Sequence, residues 1–322
     1  MKPVIPSFIF RHRAWKAIKP ILQVLVVVGL LAVLPGYLNQ AVVGLTDADP
    51  GEYTQYPAQN LLEFAMQEVP EDITDEEYAA LLEQQEVLME EYQQSWDTFV
   101  QEKGAIYFGM MALMLLLTPI LTAPLYGTLL DAQRNKPVTL GLALGKLRYG
   151  PKMLLTYLWM ALRVWVWTLP GMALLVAGML IPAVGEVLMI VGGALMLVLG
   201  LRAMLHYIMA PIALMDQPRR SPNACIRLSH QVMRTRKMEY FLLRISFALW
   251  YLLISLLAYL QVSVVMVAVS LTLSMMAEML LTVYVSGAEV AFYEAYAVRG
   301  ETGYDLEKEF ARDGDESADD PA

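Results

Sequence analysis

One cysteine and three histidines in 322 residues leave little for metal or redox chemistry. Cys225 cannot form an intrachain disulfide. With His12, His206 and His230 as the only imidazoles, a structural zinc or iron–sulfur site lacks ligands. Charge is scarce too: 17% of residues are Asp, Glu, Lys or Arg and 57% are apolar, outside the usual range for a soluble domain. The chain has no phosphate-cradling glycine loop, HExxH, nucleophile elbow, CxxC or Asn-x-Ser/Thr sequon. These absences point away from a motif-bearing enzyme, and no cofactor or metal is expected.

What the chain has instead is long apolar runs. A helix needs roughly 20 predominantly apolar residues to cross a bilayer with its backbone groups satisfied internally. Six runs qualify, near Pro20–Leu38, Ala105–Tyr126, Met153–Gly178, Val184–His206, Phe241–Leu260 and Val264–Val290. Pro170-Gly171 inside the third reads as a kink or local break. The basic N-terminus before the first run resembles a signal peptide, but PGYLNQ follows Leu34 with no small-x-small cleavage site, so a retained span is expected.

Lysine and arginine set the orientation. Five lie before the first run, five between Gly127 and Lys152 and six between Met215 and Tyr240, while the alternate connections are nearly bare. Both termini are therefore expected on the cytoplasmic side of the membrane. Acidic residues concentrate elsewhere. Leu38–Gly104 holds 16 Asp or Glu and one Lys, and the tail from Arg299 holds nine acidic and three basic residues; the rest of the chain carries a net +12 within the overall −9.

The expected fold class is all-α, a polytopic membrane helix bundle of about six transmembrane helices with an acidic extracytoplasmic helical hairpin. Its parts are a cytoplasmic N-terminus (1–19), the first span (20–38), the hairpin (39–104), the remaining spans (105–298) and a disordered acidic tail (299–322). The hairpin reads as helices over Pro57–Val69 and Ile73–Gln101, the second opened by a Thr74/Glu77 capping box. Tyr78, Leu81, Leu82, Leu88, Tyr92, Trp96 and Phe99 recur on one face of it. It attracts cations or a partner, or is simply a solvated cap.

Charges inside the spans are costly and usually face a partner or a cavity. Arg163, Arg202, His206, Glu278 and Glu289 qualify. Glu278, with no charged neighbour in TLSMMAEMLLTVY, is expected to pair with Arg163 or Arg202 in a buried polar site; the alternative is that both arginines snorkel to the surface.

The stretch CIRLSHQVMRTRKMEY, 225–240, follows a helix start at Ser221-Pro222. At about 100° per residue, Arg227, His230, Arg234 and Lys237 share one arc, opposite Cys225, Ile226, Leu228, Val232, Met233 and Tyr240, with Arg236 the exception. Such a helix suits the membrane interface, with Arg227, Arg234 and Lys237 against anionic lipid headgroups at about 1 kcal/mol each. Nucleic acid is not an expected partner, because the acidic tail competes on the same side.

From Tyr207 onward the motifs YIMAPIALMDQP, CIRLSHQVMRTRKMEYFLLRISFALWYLL and VAFYEAY resemble the domain of unknown function 975 family of bacterial integral membrane proteins. The matching positions are Asp216 and Pro218, then Ser229, Met233 and Lys237, then Leu243, Ser246, Phe247 and Trp250, and finally Ala291, Phe292, Tyr293 and Glu294. The likeness covers Leu125–Tyr296. The chain departs from it in a longer apolar stretch between Pro170 and Arg202 and in the acidic hairpin. The resemblance implies fold and location and supplies no catalytic residues.

The function expected from sequence is a non-enzymatic envelope or membrane-organising component acting through anionic lipid and a membrane-protein partner. The alternative is a transporter or exporter of a small or lipid-like solute that uses a buried Glu/Arg site.

Overall fold

The computed structural model describes residues 7–66, 74–181, 184–258 and 264–299. Among these residues there is no strand. Six helical segments are long and apolar enough to cross a membrane: Ser7–Thr46, Gly104–Gln133, Leu140–Leu180, Val187–Asp216, Lys237–Leu256 and Thr272–Val298. The protein is an all-α polytopic helix bundle. The chain divides into two compact units, one of Met1–Val33 with Thr118–Ala322 and the other of Leu34–Leu117. The expected acidic tail beyond Arg299, the loop around Gln261 and the connection between the hairpin helices lie outside the described residues.

In the larger unit, helix α1 (Ser7–Ile18) passes through a tight turn at Lys19–Ile21 into α2 (Leu22–Thr46). The N-terminal segment is thus helical well before Pro20, where the sequence alone places the first span. The cause is an apolar stripe, Phe10, Ala14 and Ile18 at i, i+4 and i+8, all buried. It packs on α13 (Val264–Tyr293), where Phe10 meets Phe292 with ring centroids 5.1 Å apart. Between these lie α5 (Gly104–Gln133), α6 (Leu140–Leu144), α7 (Gly150–Leu180), α8 (Gly185–Tyr207) and α9 (Ala210–Asp216). Then come α10 (Pro222–Met233), α11 (Lys237–Ile245) and α12 (Ala248–Ala258).

Helix α7 runs unbroken through Pro170, so Pro170-Gly171 is not a break. The glycine serves close packing instead: a Cβ at Gly171 would sit 2.6 Å from the Met196 backbone nitrogen. One heptad on, a Cβ at Gly178 would sit 2.8 Å from the Gly185 carbonyl oxygen. The α7 and α8 backbones therefore touch, as small residues allow between membrane helices.

The basic stretch at 225–240 is two helices rather than one. Ser221 caps α10 as expected, its Oγ accepting from the Ala224 N–H at 3.4 Å. The helix ends at Met233, however, and Lys237 opens α11. The turn at 234–236 lets Arg236 pair with Glu239 at 2.6 Å and lie 4.4 Å from the Tyr296 ring. This accounts for Arg236 falling off the basic arc.

Contacts at the helix ends show how the spans alternate. Gln133 donates to the Arg13 carbonyl at 3.3 Å, Lys152 donates to the Pro218 carbonyl at 2.8 Å, and Arg134 bonds Asp216 and Glu294. Groups that touch share a depth. The starts of the first and third spans and the ends of the second, fourth and sixth therefore lie on one side, as six crossings require.

In the smaller unit, α3 (Pro50–Ala65) starts seven residues before Pro57, because Asp49 caps it and Pro50 takes the first position. Helix α4 (Asp75–Glu102) carries the expected capping box: Thr74 Oγ accepts from the Glu77 N–H at 3.3 Å, and the Glu77 carboxylate accepts from the Thr74 N–H at 2.9 Å. These bonds hold the Glu77 carboxyl below its ordinary value. The predicted apolar face is buried only at its far end. Phe99 is fully buried against Tyr53, Trp96 and Tyr107, while Tyr78 and Leu82 are exposed.

Gly171→Leu is expected to destabilise the α7–α8 pair by about 1–3 kcal/mol, the range for overpacking, read as a lower unfolding midpoint in detergent. Gly193→Ala on α8, where nothing lies within 4 Å of the new methyl, should not lower the midpoint, since alanine favours the helix over glycine.

Candidate functional site

The C-terminal half of α13 is enclosed on all sides. Val283, Ala288, Val290, Ala291, Phe292 and Tyr293 are buried, and within this run sits a carboxylate, Glu289, 4% exposed. A charge in such surroundings needs neighbours that donate to it. Glu289 Oε1 accepts from the Tyr240 hydroxyl at 2.6 Å and pairs with Arg244 Nε at 3.2 Å. Its Oε2 accepts from the Tyr126 hydroxyl at 3.4 Å. Tyr240 and Arg244 are one turn apart on α11, so their side chains leave the same face. The carboxylate thereby joins α5, α11 and α13. The Arg244 side chain remains 41% exposed while Glu289 does not.

That exposure opens into a cavity of about 560 Å³. Glu289, Arg244 and Tyr126 stand at its polar part, and Met160, Val164, Trp165 and Met204 line its apolar walls. Trp167 Nε1 donates to the Tyr207 hydroxyl at 3.2 Å and steadies the wall shared by α7 and α8. A larger cavity of about 760 Å³, bordered by Trp15, Trp250 and Tyr284, has Arg11 as its charged member, and Arg11 rests on the Phe247 and Tyr284 rings. The smaller cavity thus has the chemistry of a binding site: mostly apolar, with a few convergent polar groups.

Beside it, polar clasps fix the helix ends. Arg134 bridges Asp216 and Glu294, and the Tyr293 hydroxyl donates to Asp216 at 3.0 Å. Ser229 is fully buried; its hydroxyl donates to the His206 carbonyl at 2.8 Å and accepts from the Met209 N–H at 3.1 Å, closing the break between α8 and α9.

Among the described residues no ion pair joins Glu278 to Arg163 or Arg202. Arg163 donates to Asn223 at 3.2 Å and lies 5.9 Å from the Tyr207 ring. Arg202 is exposed on α8, and Glu278 is half-buried on α13. A buried carboxylate does meet an arginine across the bundle, but the pair is Glu289 with Arg244. Arg227 and Arg234 are exposed, as headgroup contacts need, while Lys237 is half-buried. Arg244 escaped the sequence reading because it lies inside an aromatic-rich run. The signal that marks it is Tyr240-x-x-x-Arg244, two polar groups on one face of an otherwise apolar helix. Among the described residues no group of His, Cys, Asp and Glu is arranged to hold a metal ion.

Arg244→Ala is expected to lower stability by about 1–3 kcal/mol, because Glu289 stays buried with only hydroxyl donors. Glu289→Gln, which keeps one oxygen acceptor for Tyr240, offers an N–H that the Tyr126 hydroxyl can accept and leaves a half-exposed Arg244 to be solvated, should cost less. Unfolding midpoints of the two purified variants in the same detergent check the order.

No protein-family model, curated protein or solved structure matches the chain.

Proposed function

We propose that this multi-pass membrane protein binds and moves a lipid-like amphiphile, with the polar head at Arg244 and Glu289 and the apolar part along the Met160, Val164, Trp165 and Met204 walls. The observation that carries this reading is a buried carboxylate whose arginine partner stands half-exposed at the polar part of an apolar cavity. A half-exposed guanidinium suits an anionic or strongly dipolar head. The role is one of binding and transfer rather than catalysis.

A second reading, a membrane-organising component, is favoured by Arg227 on α10 and Arg234 just after it, which are exposed and in no ion pair among the described residues. In both readings the protein sits in a bacterial plasma membrane with its termini in the cytoplasm and the acidic hairpin outside, as the lysine and arginine distribution supports. Kinship with the domain of unknown function 975 family belongs to the same proposal. No family model carries it, and its support is that Asp216, Ser229, Tyr293 and Glu294, four motif positions, each bond between elements.

A series of single-chain amphiphiles added to the purified protein tests the cavity. At about one hundred times its Kd, a ligand that binds the folded state alone adds about 2.7 kcal/mol of stability. This gain should vanish in Ala161→Phe, which fills the cavity, and in Arg244→Gln; equal gains in all three proteins would sink the reading. Orientation is checked by thiol labelling of intact cells. Cysteines placed at Gln84 and Arg148 should react from the outside and from the inside, respectively. Native Cys225 should stay silent, because it is buried and its thiol pKa is pushed up by that burial.

A further inference from the structure

Arg202 and His206 are one turn apart on α8, on the side of the helix away from Met204 and Tyr207, which line the cavity. The His206 ring stacks on that of His230 from α10, with centroids 4.6 Å apart and planes at 16°. Arg202 stands one turn before His206 on α8, and Lys237 opens α11, which packs against α8. Three helices therefore bring two permanent cations and two imidazoles to one place.

Nothing anionic in the described structure answers them. Neither Arg202 nor Lys237 forms an ion pair among the described residues. The carboxylates that come nearest in sequence are engaged elsewhere: Glu239 with Arg236 and Tyr296, Asp216 with Arg134 and Tyr293. Like charges held together raise each other's energy unless an anion sits among them. The cluster does not relax apart, because the Ser229 hydroxyl ties α10 to the end of α8. Its depth is that of a membrane surface, since Lys237 is the first residue of the fifth span.

We infer that Arg202, His206, His230 and Lys237 form a binding site for a phosphate group, the chemistry shared by an anionic phospholipid head and the free phosphate ion. The site is independent of the amphiphile cavity, and it gathers side chains from three helices, which a single amphipathic helix would not. Guanidinium, ammonium and imidazole donors converging from three directions suit the tetrahedral oxygens of a phosphate.

The test uses the full-length protein in detergent, titrated with phosphatidylglycerol, with phosphatidylcholine and with inorganic phosphate. Apparent affinity is read from the shift of the unfolding midpoint. Wild type should prefer phosphatidylglycerol, and R202Q/K237Q should bind it about twenty-fivefold more weakly, at about fivefold per cation removed. R202K/K237R should retain the preference, and Arg148→Gln, a cation outside the cluster, should not alter it. Binding of inorganic phosphate with the same dependence on Arg202 and Lys237, and no lipid preference, would assign the site to the free ion. Should the double variant lose monodispersity, Arg202→Gln alone, changing an exposed side chain, must weaken binding about fivefold. Undiminished phosphatidylglycerol and phosphate affinity in these neutral variants overturns the inference, as does a wild type that binds neither anion.

Discussion

A carboxylate in the interior of a membrane protein loses its water and must recover the lost interactions from the protein itself. Glu289 recovers them from a guanidinium and two phenols carried by two other helices. Meeting that need holds α5, α11 and α13 in one arrangement, since withdrawing α5 or α11 takes donors away and withdrawing α13 removes the carboxylate they serve. The clasp of Arg134 with Asp216 and Glu294 lies about one turn and a half further along α13 and ties the same helix to the ends of α5 and α9. Apolar packing between helices discriminates weakly against lipid, which is equally apolar. The specificity of this bundle therefore rests to a large degree on a few polar contacts at one end of it.

Around that end the apolar surfaces have a second task. The cavity wall is built from α7 and α8, which contribute no charge to the polar group. This division separates the element that sets chemistry from the elements that set shape. A ligand that differs in its apolar part would be sensed by α7 and α8, and one that differs in its head by α11 and α13.

Length and hydropathy made six spans legible, and the alternation of lysine-rich and bare connections agreed with them before any contact was known. The capping residues Ser221 and Thr74 were legible for a similar reason, since a cap is a local bond between residues three apart. What could not be read locally was pairing. Glu278 and Glu289 are both carboxylates in an apolar helix; only the placement of α11 decides that Arg244 meets the second, and that placement depends on the turn at 234–236. The same turn separates Lys237 from the arc of Arg227, His230 and Arg234, so a continuous helical projection misplaced it. The start of α1 was missed because a buried stripe of Phe10, Ala14 and Ile18 is diluted by the basic residues between them.

The heptad glycines of the α7–α8 pair stand at one end of a hairpin whose other end carries Tyr157, Trp165, Met204 and Tyr207. With no side chains between them, the two backbones are pinned together near the connection. A shift of register there would drive a side chain into the opposing backbone, so the glycines hold the register of the hairpin. The cavity-lining side chains at its far end are thus aligned by contacts several helical turns away from the atoms that would touch an occupant.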